Sequence, residues 1–305
     1  MNTVAQSHPL PTTISDYLAQ LRQALAGADP AMIQDALYDA EEYLRAELAE
    51  QHGKSEAEVI ADVAGSYGAP EEVAEIYRET EVTVTRALRP PAPPKRASWI
   101  ANFFGVAADP RTYGALFYML LSLLTGVFYF TWVVTGASLS IGLLILIIGV
   151  PLLVLFFGSV RVLSLVEGRV VETLLGVRMP RRPQHPGLQG SWLQRIGAMF
   201  TDVRTWSTML YFVLMLPLGT LYFTVFCTLL SLSLGLAASP LVVLFDNTAV
   251  LTWDGVDITG SWLTLPLFAV GVLLLFVTLH LARAFGKLHG MFAKQLLVKS
   301  GETAA

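Results

Sequence analysis

The chain is 305 residues long, 54% apolar and only 14% charged, with a mean hydropathy of +0.56, which excludes a single soluble globule, while its one cysteine, Cys227, excludes a disulfide scaffold. Charge is unevenly spread: residues 12–83 hold sixteen acidic and four basic side chains, and the rest of the chain holds sixteen basic and eight acidic ones. A nucleic-acid binder is disfavoured, because the polar segment would repel phosphate.

The opening MNTVAQSHPLPTT lacks the basic-then-apolar layout of a signal peptide, so the first segment is expected to stay where it is made. Tyr17, Leu18, Leu21 and Leu25 recur at helical spacing and predict a helix over 14–26 closed by Gly27. Asp29-Pro30 reads as an N-cap and first turn, opening a helix to about His52 with Ile33, Leu37, Leu44 and Leu48 inward. Ser55 and Glu58 have capping-box spacing for a third helix that Gly65 or Gly68 ends. Pro70-Glu71-Glu72 starts a fourth, with Val73, Ile76 and Tyr77 inward. Such a small core gains from a partner or a second copy, which would make a homodimer. Its acidic outer faces suit either solvent or a basic partner. Residues 84–97, with RPPAPPKR, read as a stiff basic linker drawn to anionic headgroups.

Three long stretches then lack Asp, Glu, Lys and Arg: Thr112–Val160, Thr205–Phe245 and Ile258–Ala282. At about 20 residues per crossing, the first holds two spans with a turn near Thr135-Gly136-Ala137. An internal repeat decides the second half. Residues 98–131 recur 93 positions later with 12 identities and no gap, pairing Asp109 with Asp202, Arg111 with Arg204, Tyr118 with Tyr211, Gly126 with Gly219 and Tyr129 with Tyr222. The ends of the halves match at a spacing of 122, where Arg161, Gly168 and Leu174-Leu175 pair with Arg283, Gly290 and Leu296-Leu297. The fold is therefore expected to be all-α: a helical domain at 12–83, then a membrane domain at 98–300 built as two parallel-repeat hairpins. Its four spans fall at about 113–134, 139–160, 206–228 and 262–282, with an enlarged outer connection at 229–261.

All Lys and Arg of this half lie at 86–111, 161–204 and beyond Ala282. The positive-inside tendency then places both termini and the central loop in the cytoplasm. Ser98–Ala108 and Ser191–Thr201 read as interfacial helices. Arg161–Gly176 and Arg283–Val298 read as cytoplasmic extensions of the spans, anchoring the bundle or passing movement inward.

Candidate chemistry is sparse. Asp109 and Asp202 are inner-mouth N-caps, with Arg111 and Arg204 able to reach lipid phosphate or the aspartate of the other repeat. Tyr118, Tyr129, Tyr211 and Tyr222 either line a shared cavity or tie helices together. Gly126 and Gly219 allow close helix approach, and Pro151 and Pro217 would kink their helices. His280 and His289 do not share the i, i+4 spacing of metal ligands and read as polar packing. In the outer connection, two β-branched runs around Trp253-Asp254-Gly255 predict a small hairpin. There Asp246, Trp253, Asp254, Asp257 and Trp262 could hold a cation or cationic ligand, or form a lid. No phosphate loop, zinc-protease motif or nucleophile elbow appears. No charge lies inside a predicted span, so an enzyme or a pump is a poor match, and no cofactor, metal site or catalytic residue is expected.

The segments DYLAQLRQAL, DAEEYLRAEL, Gly53-Lys54-Ser55 and YGAPEEVAEIY resemble the HAAS domain, formerly DUF1700, of bacterial membrane signalling proteins. RTYGALFYMLL, Gly149-Val-Pro-Leu, the Arg161–Gly176 segment and the duplicated hairpins resemble the membrane sensor domain found ahead of some bacterial histidine kinases and also on its own. The resemblance implies signal relay to a PadR-like transcription regulator, and without a kinase motif set in this chain a separate kinase is the other implied partner. The expected function is a non-enzymatic inner-membrane sensor that relays an envelope or lipid stimulus to a cytoplasmic partner, with membrane lipids as its surroundings. A passive permease or lipid-handling protein, and a constitutive scaffold, are the alternatives.

Overall fold

The computed structural model describes residues 11–88, 98–146, 148–182, 197, 201–241, 252–254, 256–257 and 264–298. The fold is all-α and falls into two compact units. Among the described residues, the first unit takes in 11–88, 178–182, 197 and Val298, and the second takes in 98–177 and 201–297.

In the first unit, α1 (Ile14–Ala24) is capped by Thr13, whose hydroxyl accepts from the Asp16 N–H. Helix α2 (Pro30–Glu50) is capped by Asp29 with Pro30 in its first turn. Helix α3 (Glu56–Ser66) carries the full Ser55/Glu58 capping box, and the backbone amide and hydroxyl of Ser55 hold the Glu58 carboxyl below its usual range. Helix α4 (Pro70–Leu88) follows Gly68, which sits at φ +113. These helices enclose Tyr17, Leu21, Leu25, Ala36, Ala40, Leu44, Ile60 and Val73.

Two expectations for this unit need correction. The buried face of α2 is Met32, Ala36, Ala40 and Leu44, with Ile33, Leu37 and Leu48 only partly covered. Ile76 is 57% exposed, because α4 buries Val73 and Ala74 and packs Tyr77 beside them, and one apolar stripe cannot also take residue 76. Helix α4 also continues to Leu88, into the stretch assigned to the linker.

The second unit contains four helices long and apolar enough to cross a membrane. These are α6 (Pro110–Gly142), α7 (Gly149–Leu175), α8 (Val203–Ala237) and α9 (Thr264–Leu297). Before them, α5 (Trp99–Phe104) runs into a 3-10 turn at Gly105–Ala108; most of the equivalent stretch, 191–201, lies outside the described residues. The helix passes straight through Thr135-Gly136-Ala137, and the turn between α6 and α7 falls at 143–148 instead. The second crossing is therefore displaced toward 149–175, past Arg161. Pro151 consequently stands in the first turn of α7, where its missing N–H costs nothing, whereas Pro217 is inside α8. Between α8 and α9, Thr252–Trp253 (β1) and Val256–Asp257 (β2) pair antiparallel, with Asp254 at φ 50 in the turn.

Helices α6 and α8, equivalent in the repeat, form the most extensive contact of the bundle. They cross at Gly126 and Gly219. A Cβ on Gly126 would meet the Met215 carbonyl oxygen, and one on Gly219 would meet the Ser122 carbonyl oxygen. The contact is reciprocal and backbone against backbone, so no side chain can yield to relieve it. Gly219→Ala is expected to lower stability by about 1–3 kcal/mol, read as a lower melting temperature of the detergent-solubilised protein; an unchanged melt would mean the helices do not cross this closely.

Candidate functional site

The four tyrosines singled out by the repeat converge. Tyr118 and Tyr129 on α6 and Tyr211 and Tyr222 on α8 are all buried, the most exposed at 7%. They surround two ionisable side chains, Glu167 on α7 and His289 on α9, which are 0% and 1% exposed. The Glu167 carboxylate accepts from three hydroxyls: Tyr118 at 2.6 Å and Tyr211 at 2.8 Å on Oε1, and Tyr129 at 2.9 Å on Oε2. The His289 Nε2 lies 2.7 Å from the Tyr118 hydroxyl and 3.1 Å from that of Tyr211, and its Nδ1 lies 3.4 Å from that of Tyr222. Phe212 stacks on Tyr129, and Phe285 and Phe292 close around Tyr222, Tyr211 and His289, so the polar centre is wrapped in aromatic carbon.

The geometry follows the repeat. Residue 167 plus the 122-residue spacing is residue 289, so Glu167 and His289 are equivalent positions, each just ahead of its repeat's glycine, Gly168 or Gly290. Each repeat thus supplies two tyrosines and one ionisable group to a common centre. Three donated hydrogen bonds are what a carboxylate needs in a low-dielectric interior, where each bond to a charged group is worth about 1.5–3 kcal/mol.

Reading the second span as ending at Val160, because Arg161 follows, excluded Glu167 from the bundle. Glu167 lies in the stretch past Val160 that reads as an extension of the span, and there the other long helices bury it. The signal that could have found it was the 122-residue spacing itself, which sets two ionisable residues opposite each other. His289 takes part in this network, whereas His280 stacks on Phe103 and bonds the Phe103 carbonyl oxygen through Nε2. Cys227 is exposed on α8.

At the ends of α6 and α8 near this centre, Asp109 accepts from the Arg111 N–H and Asp202 from the Arg204 N–H, each at 3.1 Å. The charge partners cross between repeats, but through other arginines than Arg111 and Arg204. Asp109 pairs with Arg283 at 3.4 Å, and Asp202 with Arg161 at 3.3 Å.

Of the residues proposed for an outer ligand site, Asp246 and Trp262 lie outside the described residues, as do the side chains of Trp253 and Asp257. Asp254 is exposed. Among the described residues no group of three metal-ligating side chains forms.

A second polar site lies within the first unit. Asp35, on α2, is 5% exposed. Its Oδ1 accepts from the backbone N–H groups of Arg181 at 2.6 Å and Arg182 at 2.8 Å, and its Oδ2 meets the Arg178 guanidinium at 3.2 Å. Burial pushes the Asp35 carboxyl up, while the two amides and Arg178 pull it down. Arg178 also pairs with Glu81 at 3.1 Å, and Arg182 with Asp39 at 2.9 Å, its guanidinium lying over the Tyr38 ring. Gln34 donates to the Arg182 carbonyl oxygen at 2.7 Å. Five basic-segment residues, 178–182, thus belong to the acidic unit.

Four membrane-length helices around a buried polar centre, with a small acidic helical unit in the same chain, are the architecture of a multi-pass membrane protein. Residues 118–297 match the family described as "Putative sensor", and residues 16–76 match HAAS. The chain belongs to the "Putative sensor" family, and its N-terminal unit carries the HAAS match. Both are non-catalytic families, and HAAS domains associate with partner regulators. No curated protein and no solved structure matches the chain.

If Glu167 and His289 are one interacting unit, their substitutions will not add. Glu167→Gln is expected to cost on the order of 3 kcal/mol by stranding the groups arranged around a carboxylate. The double variant Glu167→Gln/His289→Gln should cost at least about 1 kcal/mol less than the sum of the singles. Thermal unfolding in detergent micelles measures both, and strict additivity would separate the two residues.

Proposed function

We propose that the protein is an inner-membrane sensor with both termini in the cytoplasm, in which rearrangement of the bundle controls the acidic unit through the segment 178–182. The observation that carries this reading is chain continuity. Helix α7, which holds Glu167, ends at Gly176 in a left-handed cap, and within two residues the chain enters the segment whose amides and guanidinium groups hold Asp35. A turn or slide of α7 against α6 would pull on that segment directly. The charge contacts on Asp35, Asp39 and Glu81 are with the unit's most basic neighbour in the chain, and freeing them would expose an acidic surface to a regulator. By resemblance to other HAAS-bearing chains that regulator is PadR-like, with a separate kinase as the other candidate partner. The tyrosine-lined centre is closed on itself by hydrogen bonds, which favours a transducing core over the open path a permease would need. A constitutive scaffold would have no use for it.

Limited trypsin digestion of the full chain in nanodiscs tests the release step. Cleavage after Arg178 and Arg181 should rise about tenfold or more in Asp35→Ala, cleavage after Arg181 should rise likewise in Arg178→Glu, and both should rise with salt in the wild type as screening weakens the exposed contacts. Unchanged cleavage in both variants and at high salt would remove the release model. The orientation has its own check: protease added outside intact cells should leave residues 12–83 uncut, and cutting there would reverse the assignment.

A further inference from the structure

We infer that the Glu167/His289 centre is a proton-binding site, and that the proton is taken up at His289 Nδ1 opposite Tyr222. The inference deepens the sensor reading, on which its use in signalling rests, but the binding itself needs no partner protein.

The argument is an inventory of hydrogens. Each tyrosine hydroxyl owns one proton. Tyr118 and Tyr211 direct theirs to Glu167 Oε1, and Tyr129 directs its own to Oε2. The close approach of the Tyr118 and Tyr211 oxygens to His289 Nε2 must therefore be bridged by a hydrogen on the imidazole. That fixes His289 as the Nε2–H tautomer when neutral, leaving Nδ1 bare to accept from Tyr222. In this state the centre carries the single negative charge of Glu167, buried among α6, α7, α8 and α9.

One more proton can enter at two places. Placed on Glu167, it would disturb one of three tyrosine bonds of 2.6 to 2.9 Å. Placed on His289 Nδ1, it only reverses the longest contact of the network, with Tyr222 turning from donor to acceptor. The product is a carboxylate and an imidazolium sharing the hydroxyls of Tyr118 and Tyr211, with no net charge, which a low-dielectric interior favours over a lone anion.

The titratable groups facing His289 are Tyr118 from α6, Glu167 from α7, and Tyr211 and Tyr222 from α8; Tyr129 reaches it through Glu167. The charges at the helix ends, Asp109 with Arg283 and Asp202 with Arg161, are paired with each other. Uptake of the proton would change the charge at the point where all four long helices meet. A drop in local pH is then the class of stimulus that the centre can register.

The test uses the wild-type chain in nanodiscs, labelled with 15N in the histidine rings and followed by solid-state NMR as pH is lowered, with carboxylate absorption read in parallel by infrared difference spectroscopy. His289 is assigned from a His289→Gln sample. Should that variant not fold, a chain lacking the other four histidines (His8, His52, His185 and His280) identifies it. The expected result is an Nε2–H tautomer at high pH that gains one proton at Nδ1 while the Glu167 carboxylate band persists. Glu167→Gln should weaken proton binding at His289 about 10- to 1,000-fold through loss of the nearby anion, an effect that packing alone would not produce. Three results would overturn the inference: an Nδ1–H tautomer at high pH, loss of the carboxylate band in step with the titration, or a His289 signal that does not titrate while the protein remains folded. Loss of cellular signalling with normal titration would instead count against the sensor reading alone.

Discussion

One buried carboxylate constrains the whole bundle. A carboxylate buried as fully as that of Glu167 is tolerable only if donors converge on it, because transfer of an isolated charge into such an interior costs many times the net stability of a fold. Three tyrosine hydroxyls from two helices meet that demand, and they do so only if α6, α7 and α8 keep their register. A one-turn slip of any of these helices would carry its side chain about 5.4 Å away and leave the anion bare. The carboxylate therefore acts less as a source of stability than as a selector of one arrangement of the helices.

The duplicated sequence makes that arrangement symmetric in outline and asymmetric in chemistry. Gly126 and Gly219 let α6 and α8 cross at backbone contact. Their tyrosine pairs then face each other, and α7 and α9 bring up residues from equivalent positions. Identical residues at those positions would place two anions or two imidazoles side by side. Glu167 and His289 instead form a complementary couple. At the helix ends the same pseudo-symmetry appears as exchanged ion pairs, Asp109 with Arg283 and Asp202 with Arg161. Both are partly solvated, so they contribute register more than energy.

Helix α7 ends at Leu175, and the chain leaves it for the acidic unit two residues past its Gly176 cap. Glu167 is held in the polar centre, and eleven residues further on Arg178 begins the segment that Asp35 grips in the acidic unit. A helix transmits axial and rotational displacement with little loss over a few turns, since each of its backbone hydrogen bonds resists stretching. The grip itself is polar and partly screened, with Arg182 half exposed, so it can open at modest cost. These are the properties expected of a part that holds in one state and lets go in another.

Much of the first unit was legible from local signals: Thr13, Asp29, Ser55 and Pro70 mark helix starts because capping is a matter of a few adjacent atoms. The four membrane helices and the tyrosine quartet were legible too, since apolar length and repeat spacing are properties of the chain itself. The position of the α6–α7 turn was not, because an uninterrupted apolar run carries no mark of where it bends. Nor was the burial of Glu167: a charge seven residues past the expected end of a span looks solvated until partners from distant helices are seen to surround it. Sequence alone determined which segments could cross a bilayer and which residues were equivalent, through hydropathy and periodicity. Only the tertiary structure decided that Glu167, His289 and four tyrosines share one site, because donors and acceptors separated by 38 to 171 residues can be matched only in space.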